Sequence, residues 1–247
     1  MGFVVDAERR LVTVDHSHNH YCVTTPAGNP ATFMPNETLK VTSIFTRTKG
    51  KRSGDEPGDN CPMLYVMKGM HALTTTPRDI GKLCASFREI LPKFQDNGFD
   101  WDWIIPLPSS SPVSLLLAKK IQKRTKRGDC YPQALVKLTA ADVLRNLEDL
   151  RISSSEKTKA RQDIKRFIRL NGEDALFQIK MVRKKVRIHT NPLAWGSLPL
   201  GTRPPRGILL IDDMITSGTS LINAEAILKN RYPGARIEAL TLFGSSG

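Results

Sequence analysis

Two adjacent acids, Asp212 and Asp213, close the apolar run Ile208 to Ile211 and are followed closely by Thr216, Ser217, Gly218, Thr219 and Ser220. An unbroken apolar run of this length suits a strand buried on both faces. The acids then fall at its carboxyl end, the edge at which open α/β sheets bind ligands. The hydroxyls and backbone N–H groups that follow would sit at the start of a helix, where partial positive charge suits a phosphate. Gly218 lets the backbone approach such a group closely. Carboxylates repel phosphate, so the acid pair implies that the ligand has a second, neutral part, and a sugar diol fits. The pattern predicts a phosphorylated sugar, its hydroxyls on the acids and its phosphate on the turn.

A second segment, Ile104 to Pro112, runs from an apolar stretch into Pro108, Ser109, Ser110 and Ser111 ahead of a helical pattern. Serine hydroxyls and the first N–H groups of that helix can bind an anion, or the segment is an ordinary Pro-rich turn with a serine cap. His16, His18, His20 and Cys22 alternate and, on a strand, would share one face. Imidazole and thiolate are good zinc or copper ligands, yet ligands so close on one strand seldom complete a tetrahedral set, which favours an exposed polar strand or loop. His71 and His189 have no evident partners. The basic runs 119–127 and 180–187 can form a nucleic-acid surface or flank a polyanionic substrate, solvated faces being the alternative; no recognition motif or stacking aromatic accompanies them.

These residues need elements to hold them. Residues 1–60 alternate apolar and polar in places, as at 11–14 and 39–45, and are broken by Pro26, Gly28, Pro30 and Pro35, which predicts short strands. The polar stretch 48–60 has no apolar periodicity and reads as a mobile loop or linker, so a boundary is expected there, with a smaller β-containing region at 1–60 and the main domain at 61–247. From Met63 the spacing turns helical. A helix opening at Pro77 places Ile80, Leu83, Cys84, Phe87, Ile90 and Leu91 on one face and is expected to end before Pro92. Residues 101–107 predict a buried strand and 113–124 a helix. The strongly basic stretch 129–200 yields no topology, although 177–188 looks strand-like. Residues 208–211 predict a buried strand, 219–229 a helix and 237–243 a closing strand. Two strand-loop-helix units favour a parallel sheet covered on both faces.

Composition sets limits on this reading. The chain has 247 residues, 40% of them hydrophobic, enough for one well-buried α/β domain and an appendage. A net charge of +13 attracts polyanions of any kind, nucleic acid and pyrophosphate alike. The four cysteines, Cys22, Cys61, Cys84 and Cys130, form no C-x-x-C pair and are expected as reduced thiols. No run is apolar for long enough to span a membrane, and Asp6, Glu8, Arg9 and Arg10 interrupt any signal-like core, so the expected location is the cytoplasm.

The segment from Ile208 to Thr219 resembles the loop with which type I phosphoribosyltransferases hold 5-phosphoribosyl 1-pyrophosphate (PRPP): four apolar residues, two acids, two variable residues, then a hydroxyl-glycine cradle. The resemblance implies a central parallel sheet flanked by helices. It also implies that Asp212 and Asp213 bind the ribose hydroxyls and stabilise a cationic, oxocarbenium-like state, with Thr216 through Ser220 on the 5′-phosphate. Pro108 to Ser111 stand where that fold carries its pyrophosphate loop. The run Leu64 to Gly69, the helix after it, Ile104 to Pro108 and the basic middle look like the competence-associated ComF branch. There Lys68 becomes a phosphate or pyrophosphate contact, a solvated strand-end lysine being the alternative, and the basic middle would supply a hood that closes over PRPP. Mg2+ would enter bound to PRPP and leave with pyrophosphate, with no direct protein ligand expected. The four-cysteine zinc module common in that branch, and its Arg-Gly-Phe-Asn-Gln stretch, are missing. Thr216 stands where the purine 6-oxo enzymes place an Asp, and uracil-type loops replace the paired acids, so both classes are disfavoured. The expected partners are PRPP, an unidentified acceptor, nucleic acid or protein on the basic surface, and a second copy in a homodimer. A non-catalytic PRPP or nucleotide sensor acting in DNA uptake or defence is the alternative to an enzyme.

Overall fold

The chain begins with a hairpin, β1 (Gly2–Asp6) and β2 (Leu11–Asp15), paired antiparallel from Gly2↔Asp15 to Asp6↔Leu11. Alternation along β2 buries Val12 and Val14, as a one-sided strand requires. The structure is a computed structural model and describes residues 2–48, 61–183, 186–187 and 190–244. Most of the polar stretch 48–60, together with His189 and part of 177–188, lies outside the described residues.

The next strands are β3 (Cys22–Val23), β4 (Ala31–Phe33) and β5 (Lys40–Arg47). Helix α1 (Pro62–Met67) follows, and then α2 (Pro77–Gln95), whose N-cap Thr76 accepts the Asp79 N–H at 3.1 Å. The expected stop before Pro92 is overturned: α2 continues through Pro92 and is capped at Asp96. A proline inside a helix forfeits one backbone bond and crowds the preceding turn, at a cost of roughly 3 kcal/mol. Leu91 and Phe94 on the buried face offset that cost by packing in the core. β6 (Trp103–Pro106), α3 (Val113–Thr125) and β7 (Asp129–Cys130) complete a strand-helix-strand unit.

β8 (Leu135–Lys137) and, further along, β9 (Leu193–Trp195) pair antiparallel with each other. Between them lie α4 (Ala140–Asp149) and α5 (Ser154–Asn171). Both helices begin at capping boxes: Thr139 with Asp142, and Ser153 with Glu156. The strand expected over 177–188 is not formed in its described part, which holds a short 3-10 turn, Ile179–Met181. Phe177, Val182 and Val186 instead cover the apolar faces of α4 and α5, a helical core rather than a strand's period of two. The chain closes with β10 (Gly207–Met214), α6 (Thr219–Arg231) and β11 (Arg236–Phe243).

The central sheet has seven strands in the order β3-β5-β11-β10-β6-β7, with β4 also on β5. Neighbours from β5 to β7 are parallel, while β3 and β4 add antiparallel pairings at one side. The protein is thus a mixed α/β fold with a mostly parallel sheet flanked by helices. β5 is an interior strand of that sheet, while β1 with β2, and β8 with β9, form two-stranded sheets of their own.

The chain divides into two compact units. The first comprises Met1–Cys130, Pro205–Ser217 and Ala235–Gly247, and the second Tyr131–Pro204 and Gly218–Gly234. In the first, Phe3, Phe45, Phe94 and Phe243 are almost wholly buried, each contributing on the order of 2 kcal/mol by leaving water. In the second, Val143 and Leu147 of α4 pack with Ile164 and Phe167 of α5. Among the described residues no helix is long and apolar enough to cross a membrane.

Candidate functional site

Strand connectivity locates the site. From β6 the chain passes to β7 on one side, and from β10 it passes to β11 on the other, while β6 and β10 are parallel neighbours. That reversal is a topological switch point, and at such points open α/β sheets bind ligands outside the carboxyl ends of the strands. Pro106 pairs with Ile211, and the Leu107 N–H donates to the Ile211 carbonyl at 2.8 Å. The two sequence-predicted segments, Pro108 to Ser111 and Asp212 onward, therefore lie at the same edge of the sheet, on adjacent strands.

β10 extends through Met214, so both acids lie within the strand rather than after it. They engage different partners. Asp213, nearly buried, receives the Lys68 ammonium at 2.8 Å. Asp212 accepts the Ser114 hydroxyl at 3.3 Å and the Asp213 backbone N–H at 2.8 Å. Asp212 keeps some accessible surface, yet its carboxyl is enclosed by protein atoms. Burial, followed by the like charge of Asp213, pushes it up to about 7. Lys68 and the two hydrogen bonds work in the opposite direction without prevailing.

Lys68 caps the end of α1 and is not at a strand end, since Pro62 to Met67 are helical. It stands against an acid, where it neutralises charge beside Asp212. Cys61, at the other end of the same helix, is buried, and burial pushes its thiol up to about 12, so it adds no charge beside Asp213.

Thr216 and Ser217 are exposed beyond β10. Gly218 adopts φ of 75°, a left-handed conformation that favours glycine, and is the N-cap of α6, whose first residues are Thr219 and Ser220. The division between the compact units falls between Ser217 and Gly218. In the serine segment, the Ser109 hydroxyl accepts the Ser111 N–H at 3.2 Å and the Ser111 hydroxyl accepts the Val113 N–H at 3.4 Å. These are the bonds of a capped turn, and each hydroxyl keeps its own proton for donation; Ser109 and Ser110 are exposed and Pro108 half-buried.

Two residues of this edge were not singled out in the sequence. Ser114 interrupts the apolar stripe of α3 formed by Leu117, Ala118 and Ile121, a hydroxyl at a core position and the one signal that could have marked it. Arg47, buried at the end of β5, donates to the Ile215 carbonyl at 3.1 Å and to the Gly244 carbonyl. Nothing local distinguishes it from any arginine that ends a strand.

The histidine group does not assemble. β2 ends at Asp15, so His16, His18 and His20 lie on irregular backbone. His18 sits 3.6 Å from Asp15 and its ring 4.6 Å from that of His20, while Cys22 is buried in the core. Among the described residues no three metal-ligating side chains gather. Comparison with protein-family models, with characterised proteins and with solved structures finds no match for this chain, and the reading of the site rests on its own residues.

Proposed function

We propose that this protein binds PRPP and transfers its phosphoribosyl group to an acceptor, releasing pyrophosphate with Mg2+. The observation that carries the reading is the switch point between β6 and β10. There a carboxylate pair and a hydroxyl-rich turn leave one strand beside a serine-rich turn leaving its neighbour.

In this reading the residues divide the ligand by charge. Asp212 and Asp213 take the ribose hydroxyls, and Thr216 through Ser220 the 5′-phosphate. Pro108, Ser109, Ser110 and Ser111 meet the pyrophosphate as its Mg2+ complex. Positive charge develops at the ribose carbon in the transition state, and the Asp213 carboxylate, paired with Lys68 at 2.8 Å, would stabilise that charge. Lys68, beside the same acid, adds positive charge to the edge that meets the pyrophosphate. The test is turnover: pyrophosphate release from PRPP and Mg2+ against a panel of acceptors, abolished by Asp212→Asn with Asp213→Asn while the fold is retained.

A second reading, a PRPP sensor that engages nucleic acid, is favoured by α5. Its buried Ala160, Ile164 and Phe167 leave Lys159, Lys165, Arg166 and Arg169 exposed, a basic stripe of the kind that meets phosphate backbones. The same unit holds a cavity of about 350 Å³ lined by Arg145, Arg161 and Lys165 together with Glu148 and Glu173, so its charge is mixed and the stripe alone favours this reading. PRPP binding without turnover, with salt-sensitive binding of oligonucleotides, would select this reading.

A further inference from the structure

Arg47 is the last residue of β5 and retains only 8% of its accessible surface. Its Nε donates to the carbonyl of Gly244, just after β11, and its Nη2 to that of Ile215, just after β10, at 3.1 Å. Since β5, β11 and β10 are successive neighbours in the sheet, one side chain ties the carboxyl ends of the other two. The planar, permanently charged guanidinium suits this, because its donors diverge in a fixed fork.

The consequence for the turn follows from peptide geometry. Among the described residues the cis peptide bond is Asn29–Pro30, so the bond from Ile215 to Thr216 is trans. In a trans peptide the C=O and the N–H of one plane point in opposite directions. With the Ile215 carbonyl held toward buried Arg47, the Thr216 N–H faces the other way, and Thr216 and Ser217 are exposed. The Ile215 N–H is itself bound to the Phe243 carbonyl at 3.0 Å, which fixes the preceding plane as well.

We infer that Arg47 is a positioning residue for the anion-binding turn: by holding the Ile215 carbonyl, it aims the Thr216 amide at the terminal phosphate of a phosphorylated sugar. The inference rests on the PRPP reading for its ligand. Arg47 acts through the backbone and touches no substrate, and its charge adds to the potential that an anion meets at the turn.

The test separates the two halves of PRPP. Affinities for ribose 5-phosphate and for Mg2+-pyrophosphate are measured by calorimetry on the full chain, in wild type, Arg47→Lys and Arg47→Met. Lysine keeps the charge but lacks the fork, so ribose 5-phosphate affinity is expected to fall about tenfold, the loss of roughly one well-aimed hydrogen bond. It should fall further in Arg47→Met, while Mg2+-pyrophosphate binding stays unchanged in both. In wild type, the Thr216 amide resonance should shift on adding ribose 5-phosphate and not on adding pyrophosphate. Unchanged ribose 5-phosphate affinity in both variants, parallel loss of both ligands, or a silent Thr216 amide overturns the role given to Arg47 while leaving PRPP binding standing. Failure of wild type to bind either ligand removes the PRPP reading, and the inference with it.

Discussion

The Lys68 ammonium lies 2.8 Å from a carboxylate oxygen of Asp213, and Asp213 is the more buried partner, its side chain 9% exposed against 23% for Lys68. A carboxylate in that position has little water to stabilise it, so the lysine supplies most of its compensation. Removing one partner of such a pair strands the other charge, which costs more than the pair contributes.

Lys68→Met is therefore expected to destabilise the fold by about 3 kcal/mol, the lower end for a buried pair because Lys68 keeps some contact with water. Adding Asp213→Asn should restore most of that loss. Denaturant unfolding of Lys68→Met, Asp213→Asn and the double variant checks this; single losses that simply add in the double would show that the contact carries no coupling.

Asp212 predicts a pH dependence of opposite sign to that of an ordinary ion-paired acid. Its folded value, pushed up to about 7, lies above the ordinary 3.8 of the unfolded chain. Below about pH 4 both states are protonated and no penalty arises. Between there and pH 7 the unfolded state ionises first, so stability falls as pH rises, and above pH 7 the full penalty applies. Asp212→Asn, which still accepts from Ser114 and the Asp213 N–H, should raise the melting temperature at pH 7.5 and leave it unchanged near pH 4. A gain of equal size at both values would contradict the assignment.

Gly207 opens β10 where the strand meets its neighbour closely. A Cβ there would stand 2.1 Å from the Asp100 carbonyl oxygen and 2.9 Å from the Trp101 Cα, both backbone atoms that cannot turn aside. Gly207→Ala is expected to cost about 3 kcal/mol or more and to disturb the β6–β10 pairing on which the site depends. Gly234→Ala, with nothing within 4 Å, serves as the control and should be neutral or stabilising by up to about 1 kcal/mol. Comparable melting temperatures for the two variants would show that the strands part easily at this point.

How far the sequence could be read varies with the range of the forces involved. The apolar run at Ile208 to Ile211 announced β10, because burial on both faces leaves one pattern only; the adjacent acids marked its carboxyl end to within two residues. Pro92 misled because a local rule about helix breaking was outweighed by burial of Leu91 and Phe94, which depends on packing remote in sequence. Residues 177–188 looked strand-like, whereas Phe177 and Val182 are apolar in order to cover α4 and α5. The place of β5 beside β11 was not legible at all, since a pairing across some two hundred residues leaves no local trace. For the same reason the pairing of Lys68 with Asp213 was not legible, since the acid comes from β10. Arg47 was passed over because its partners are main-chain carbonyls, which no side-chain motif records.

The central claim is that the edge between β6 and β10 takes PRPP. Its most direct test is the melting temperature of the full chain with PRPP and Mg2+ at concentrations well above the dissociation constant, since a ligand bound only by the native state stabilises it by about 2.7 kcal/mol at a hundredfold excess. The account predicts an upward shift of several degrees with PRPP, a smaller one with ribose 5-phosphate, and none with PRPP for the variant carrying Asp212→Asn and Asp213→Asn. An unshifted wild-type transition, or an equal shift in that variant, would contradict it.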